Sequence, residues 1–339
     1  MASSVKLKHL FKTLLCTNPD EKAAIKLLTE IETILQMESE PISETYESSS
    51  DVCLSQGVAI NPELAAKCFS DYLRTYRFML GAYQCVFKQV KQQVKPVRIL
   101  YAGTGPFATI ILPLLYLFDQ DQIEISAIEI NSDAHRAATH LINQLGKDKY
   151  FKSFLLADAI TYSTDKKYDI IISETMDKAL CREPQLAIFN NLVNYLSPNG
   201  YLIPEYIKVD LVASSIYLEK DVPYYVFDDN ETRVSNERHR QFIDTIVCAD
   251  RAFFENHKFT PNQNIFLKSI ETSHIKENLN ELIFITEVKV FDDVVLLEDD
   301  STLTKKYICY SFAENERGKA FDLFYLNNES PRIALFHKD

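Results

Sequence analysis

Apolar and polar positions along this chain fall into three textures, each predicting a different kind of element. In "DEKAAIKLLTEIETILQM" the apolar residues recur at helical spacing, and Asp20 or Asn18 is available as an N-cap. The Ser- and Glu-rich "ESEPISETYESSSD" that follows reads as a linker. Residues 1–50 are therefore expected to form a helical appendage that docks on the body or on a second subunit. "NPELAAKCFSDYLRTYRFMLGAYQCVFKQV" is again helical in pattern, with Pro62 suited to a first turn.

From Val97 the pattern alternates. "VRILYA", "IEISAIEI", "FKSFLLAD" and "YDIIISE" read as strands. Between and after them, "PFATIILPLLYLF" reads as a helix bent or shortened near Pro113, "SDAHRAATHLINQLG" as a helix closed by Gly146, and "EPQLAIFNNLVNYL" as a helix. "SPNGYLIPE" then turns into a further strand. Strands alternating with helices at this spacing predict βαβ units and a parallel sheet. Beyond about Glu205 the segments become strand-like, with turn residues between them and one helical interruption, "ETRVSNERHRQFIDTIVCADRAFFEN". That texture predicts a second, mainly antiparallel β domain or barrel. The expected division is 1–50, 51–205 and 206–339.

Composition narrows the partners. A net charge of −12 with acids spread along the chain argues against binding a nucleic-acid backbone, which needs Lys and Arg. It suits a cationic partner, because an acidic cleft focuses its field on positive ligands. The seven cysteines form no CxxC pair and read as buried thiols in a reducing compartment, with no metal site. "MASSVKLKHLFKTLLC" is interrupted by lysines and lacks a signal-peptide core, and "TIILPLLYLF" is too short to span a membrane. A cytoplasmic location without membrane attachment is the expectation.

Candidate chemistry begins at "ILYAGTGPFA", where Gly103 and Gly105 follow a strand and precede the expected helix. Glycines there let backbone N–H groups approach a ligand, and a helix N-terminus favours an anion. Glu129 ends the next strand, where a carboxylate accepts hydrogen bonds from two ribose hydroxyls. Nicotinamide enzymes and S-adenosylmethionine enzymes share this geometry, and Gly103-x-Gly105-x-x-Ala108 satisfies the nicotinamide pattern too. Asp158, ending the third strand, stands where an acid commonly contacts the adenine amino group in S-adenosylmethionine enzymes. The expected cofactor residues of this region are Ala102, Gly103, Thr104, Gly105, Glu129, Asp158 and Ala159. After the fourth strand, "SETMDKALCRE" sets Glu174 and Glu183 nine positions apart.

These residues resemble the protein arginine methyltransferase family. Its "double-E loop" is written SE-W-M-G-Y-x-L-x-x-E, and Ser173, Glu174, Met176, Leu180 and Glu183 fall in register with it. Its D-x-V-R-T-x-x-Y element is matched by "DYLRTYRF", with Asp71, Arg74, Thr75 and Phe78 in place. "LSPNGYLIPE" looks like the family's passage into its β-barrel. Several positions depart from the pattern. Tyr101 stands where the family has an aspartate, Phe107 replaces the third glycine, and Thr175 and Asp177 replace a tryptophan and a glycine. The Thr-His-Trp motif is absent, and the chain has no tryptophan.

The resemblance implies an α/β fold, in which a Rossmann-like methyltransferase domain with N-terminal helices is followed by a C-terminal β-barrel-like domain. It implies S-adenosyl-L-methionine as cofactor, Arg74 on its carboxylate, Glu174 and Glu183 as catalytic residues, and a homodimer. The expected acceptor is a guanidino or amino group of a peptide, protein or small metabolite. Alternatives are a small-molecule O- or C-methyltransferase, an NAD-dependent oxidoreductase, and a non-catalytic subunit of the same fold that binds a partner.

Overall fold

The structure, a computed structural model, describes residues 2–40, 50–215, 239–313 and 318–338. Most of the expected linker, residues 41–49, lies outside this set, as do residues 231–238 of the expected helical interruption. Helices α1 (Ala2–Cys16) and α2 (Glu21–Glu38) form an antiparallel pair. Asp20, rather than Asn18, caps α2, accepting from the Ala23 N–H at 2.8 Å. Leu28, Ile31 and Leu35 bury one stripe of α2, and Phe11 of α1 packs on Tyr116. The N-terminal helices therefore dock on the body of their own chain.

A short hairpin follows, β1 (Val52–Leu54) with β2 (Gly57–Ala59), then α3 (Pro62–Lys67) and α4 (Tyr72–Gln92). Pro62 occupies the first turn of α3, where its missing N–H costs nothing, and Asn61 caps it. The alternating region forms β3 (Val97–Ala102), α5 (Leu114–Leu117), β4 (Ile123–Glu129), α6 (Ser132–Gln144), β5 (Phe151–Leu156), β6 (Tyr168–Ser173), α7 (Gln185–Leu192) and β7 (Leu196–Ile203). Its five strands are all parallel, in the order β5-β4-β3-β6-β7. Connections leave β3 toward β4 on one side and return to β6 on the other. That reversal opens a crevice at the carboxyl ends of the strands.

One expected helix is mostly missing. Residues 105–113 form successive turns, and helix covers only α5. Pro106 and Pro113 bracket a β-branched run, Thr109-Ile110-Ile111, and Ala108 sits at φ 47°, outside helical space. Proline clashes with the carbonyl four residues back, and β-branched side chains lose rotamer freedom in a helix.

The C-terminal part comprises β8 (Tyr206–Ser214), β9 (Arg240–Asp250), α8 (Arg251–Asn256), β10 (Gln263–Glu271), β11 (Glu281–Phe291), β12 (Val294–Leu296), β13 (Tyr307–Ser311), β14 (Ala320–Asn327) and β15 (Arg332–His337). These make two antiparallel sheets, β12-β11-β8-β9 with β13 on β11, and β10-β14-β15. Among the described residues no closed barrel forms. The expected helical interruption is strand over β9 and helix only over α8, because Phe242, Asp244, Thr245 and Val247 pair along β8 and the β-branched Ile243, Thr245, Ile246 and Val247 favour a strand. The cysteines also differ from expectation. Cys85 is buried, while Cys16, Cys53 and Cys248 are exposed. Among the described residues, no helix is long and apolar enough to cross a membrane, and no acid, His or Cys cluster is placed to hold a metal.

Two contacts lock α4 to the C-terminal sheets. Asp71, at its N-terminus, accepts from the Ser301 hydroxyl at 2.9 Å and from the Thr302 N–H and hydroxyl at 2.9 and 2.7 Å. Further along, Gly81 lets the helix approach β11 so closely that a Cβ there would lie 2.5 Å from Val290 Cγ1. Gly81→Ala gains about 1 kcal/mol of helix propensity but overpacks a buried, stiff valine, at a cost of about 1–3 kcal/mol. Chemical denaturation should show net destabilisation, and adding Val290→Ala should recover part of it.

Candidate functional site

The crevice above β3, β4, β5 and β6 is a cleft whose empty space, open mouth included, is about 1030 Å³. The β1–β2 hairpin, α3 and the start of α4 cover it through Leu54, Ile60, Ala65, Phe69 and Phe78. Nine of the ten residues expected to form the site line this one cleft: Arg74, Gly103, Thr104, Gly105, Glu129, Asp158, Ala159, Glu174 and Glu183. Ala102 does not. It is fully buried beneath the cleft, and its carbonyl accepts the Ser173 hydroxyl at 3.1 Å.

The glycine loop works differently from expectation. Gly103 N–H donates to the Ile128 carbonyl at 2.9 Å, and Gly105 N–H donates to Glu129 Oε2 at 2.9 Å. Both amides are used inside the protein, and no helix N-terminus follows to attract an anion. The glycines are required for conformation and approach. They sit at φ 75° and 59°, and a Cβ on Gly103 would lie 2.4 Å from Thr175 Cγ2. In exchange the loop orients Glu129, whose other oxygen accepts from the Asn131 N–H at 2.9 Å. Burial raises the Glu129 carboxyl above its ordinary value, against the pull of these backbone donors. Asp158 both lines the cleft and caps its own turn, accepting from the Ile160 N–H at 2.8 Å.

The stretch from Glu174 to Glu183 is strained and tied at several points. Ala179, Leu180 and Arg182 all have positive φ, at 54°, 57° and 67°, a conformation that costs non-glycine residues free energy and persists only where surroundings enforce it. Ala179 N–H donates to Thr286 Oγ1 at 2.9 Å, and Arg182 N–H donates to the Pro331 carbonyl at 2.8 Å. The Arg182 carbonyl accepts from Val58 N–H at 2.9 Å, and its guanidinium pairs with Asp51 at 2.6 Å. Gln185 Oε1 accepts from the Thr175 N–H at 2.9 Å. Asp177 stays out of the cleft and caps the next turn through Lys178 N–H at 2.7 Å.

These ties bring Glu174 onto Arg74. The two form an ion pair through Arg74 Nη2 and Glu174 Oε2, with side chains 11% and 10% exposed. Glu174 Oε1 is buried and, among the described residues, has no hydrogen-bond partner. Burial pulls the Arg74 guanidinium down, but the charge and hydrogen bond of Glu174, with Cys68 and Asp71, together outweigh it and hold Arg74 above its ordinary value. Burial raises Glu174, with Arg74 opposing. Glu183 is pushed from 4.5 up to about 8, first by burial and then by the neighbouring Glu174 charge.

Sequence patterns did not single out Cys68 as part of the site, yet it lines the cleft. Burial raises its thiol, with Arg74, Glu174 and Glu183 acting on it. Tyr101 lines it as well, as a buried phenol pushed far up by burial, its hydroxyl donating to the Thr104 carbonyl at 3.4 Å. Phe107 turns away from the loop to pack edge-on against Phe69.

The Glu183 shift has a signed consequence for stability. The folded protein holds a proton there that the unfolded chain releases near 4.5. This contribution to stability is fully present below pH 4.5 and is lost as pH rises through about 8. Urea denaturation across that range should show stability falling with pH, and Glu183→Gln should flatten the slope.

No family model and no curated protein matches this sequence. Among solved structures, the chain is similar to the Trypanosoma brucei PRMT1 enzyme-prozyme heterotetrameric complex with AdoHcy. The TM-score is 0.54 at 13% identity, covering 81% of this chain and 92% of that one. It is also similar to Arabidopsis thaliana protein arginine methyltransferase 10 in an open conformation, with a TM-score of 0.46 at 14% identity, covering 80% of this chain and 96% of that one. What the chain shares with the first of these is its fold, a Rossmann-like α/β layer followed by antiparallel sheets, in the manner of a protein arginine methyltransferase.

Proposed function

We propose that the chain is an S-adenosylmethionine-dependent N-methyltransferase whose acceptor is a guanidino or amino group on a peptide, protein or small metabolite. One observation carries the reading. A single cleft is lined by Glu129 and Asp158 at neighbouring strand ends and also by Glu174 and Glu183 of the strained loop. The neighbour of the same fold is a complex with AdoHcy, which agrees with that cofactor.

The cleft's residues fit the nucleoside. Glu129 would accept from its ribose hydroxyls through a carboxylate already oriented by two backbone N–H groups. Asp158 and Ala159 would hold the adenine edge, and Thr104 and Gly105 would lie beside the sugar. Arg74 would take the carboxylate of the amino-acid moiety. When bound, the cofactor supplies a methyl group on a sulfonium, open to in-line displacement. The neighbour's heterotetramer extends the reading to assembly, as a homodimer or with a related chain.

Glu174 and Glu183 act on the acceptor. A guanidinium delocalises its charge and stays protonated in proteins. Two carboxylates grip it through charge-assisted hydrogen bonds and draw positive charge toward the nitrogens they contact. The remaining nitrogen is left oriented and richer in electron density. Orientation alone supplies several kcal/mol toward such a barrier. Glu183, protonated at neutral pH in the free site, would release its proton to solvent as the cation binds and take one back from the methylated nitrogen after transfer. Burial and the Glu174 charge, which hold Glu183 at about 8 in the free site, bring its proton exchange within reach of neutral pH, as a general base requires. With an amine acceptor the same group removes the ammonium proton that blocks the lone pair.

Calorimetry should show S-adenosylmethionine and S-adenosylhomocysteine binding while NAD(H) does not. Glu174→Gln and Glu183→Gln should each lower kcat by roughly 10²–10³-fold, in the range of general acid–base and electrostatic contributions, while the nucleoside still binds. Full activity in both variants would end the proposal, and binding of NAD(H) alone would move the chain to the oxidoreductases.

A further inference from the structure

Among the described residues, Arg74 is the one cationic side chain lining the cleft, which it shares with Glu129, Asp158, Glu174 and Glu183. It is already engaged with Glu174. Any anionic group of an entering ligand must therefore compete with Glu174 for the same guanidinium. Any cationic group that seeks Glu174 meets a carboxylate whose charge Arg74 already balances. With Glu183 protonated at neutral pH, the two-glutamate clamp of the free protein carries little net attraction for a cation.

Resting on the methyltransferase reading, we infer that the Arg74–Glu174 pair is a binding-order switch. The carboxylate of the cofactor's amino-acid moiety draws the guanidinium off Glu174, and this frees Glu174 to receive the cationic acceptor. The nucleoside loads first, and acceptor affinity depends on its carboxylate.

The surroundings confine the exchange to side chains. Three hydrogen bonds from Ser301 and Thr302 to Asp71 fix the start of α4, and the Thr75 hydroxyl donates to the Phe69 carbonyl at 3.0 Å. On the other side, Gln185 holds Thr175, and the Ser173 hydroxyl is held on Ala102. Neither backbone needs to move for the partners to change. Once freed, Glu174 is a buried carboxylate with no neutralising neighbour, a costly state that a cationic ligand relieves. Its Oε1, buried and without a partner among the described residues, is an acceptor already in place. Because coupling is reciprocal, a bound acceptor should tighten the nucleoside by the same factor.

The test uses the full chain at neutral pH. N-acetyl-arginine amide and N-acetyl-lysine amide, a guanidinium and an ammonium probe, are titrated calorimetrically in three states. These are the protein alone, the protein saturated with S-adenosylhomocysteine, and the protein saturated with 5′-methylthioadenosine, a nucleoside thioether without the amino-acid moiety. One probe should bind about tenfold tighter with S-adenosylhomocysteine, within the usual range of such couplings, and no tighter with 5′-methylthioadenosine. In Arg74→Ala the probe should bind without any nucleoside, and the dependence should vanish. In Glu174→Gln the probe should bind weakly in all three states. Equal enhancement by both nucleosides, no enhancement, or an unchanged dependence in either variant overturns the switch while leaving the methyltransferase reading standing. If neither nucleoside binds, that reading fails and the switch fails with it. If neither probe binds in any state, the cation clamp is wrong and the switch has nothing to release.

Discussion

The pair between Arg74 and Glu174 is the interaction on which the site depends. It joins the first turn of α4 to the end of β6, across 100 residues of sequence, at the floor of the cleft. Burying two charges costs several kcal/mol per ion, and mutual attraction recovers this only when both partners are present. Removing either one leaves an uncompensated buried charge, so each residue constrains the other. The same burial, together with the Glu174 charge, raises Glu183 into the range where a carboxyl exchanges protons near neutral pH. The site is thus held in tension by groups that would each be more stable in water.

That tension is maintained from outside. The loop between the glutamates is tied to the N-terminal hairpin at Asp51 and Val58, to β11 at Thr286, and to the chain before β15 at Pro331. Three regions distant in sequence enforce three positive-φ residues. The C-terminal sheets therefore contribute to the site without lining the cleft, by setting where Glu183 stands relative to Glu174. Asp71 does the same for Arg74, from a position just outside the cleft.

Much of this was legible in the sequence. The alternation from Val97 onward, each strand bounded by turn residues, led directly to the parallel sheet. Strand ends then placed Glu129, Asp158 and Glu174 at one crevice, because the fold brings those ends together. What could not be read depends on competition between local preferences or on distance. The helix expected after Gly105 lost to two prolines, a β-branched run and a positive φ at Ala108. The helix expected before α8 lost to cross-strand pairing of β9 with β8. The amides of Gly103 and Gly105 looked available for ligand, yet both serve β4. Nothing local in "KCFSDYLRTY" reveals that Cys68 faces the cleft or that Arg74 pairs with Glu174. Tyr101 and Phe107 stood out only as departures from a family pattern. Their packing shows the space they fill, one beside the glycine loop and the other away from it against Phe69.

Central to the proposed function is transfer of a methyl group, in this cleft, to a cationic nitrogen gripped by Glu174 and Glu183. Mass spectrometry of a cell extract incubated with the protein and isotopically labelled S-adenosylmethionine tests that claim most directly. Label is expected on a guanidino or amino nitrogen and should be lost when Glu183→Gln replaces the natural chain. Label on oxygen or carbon, or labelling that survives Glu183→Gln undiminished, would contradict it.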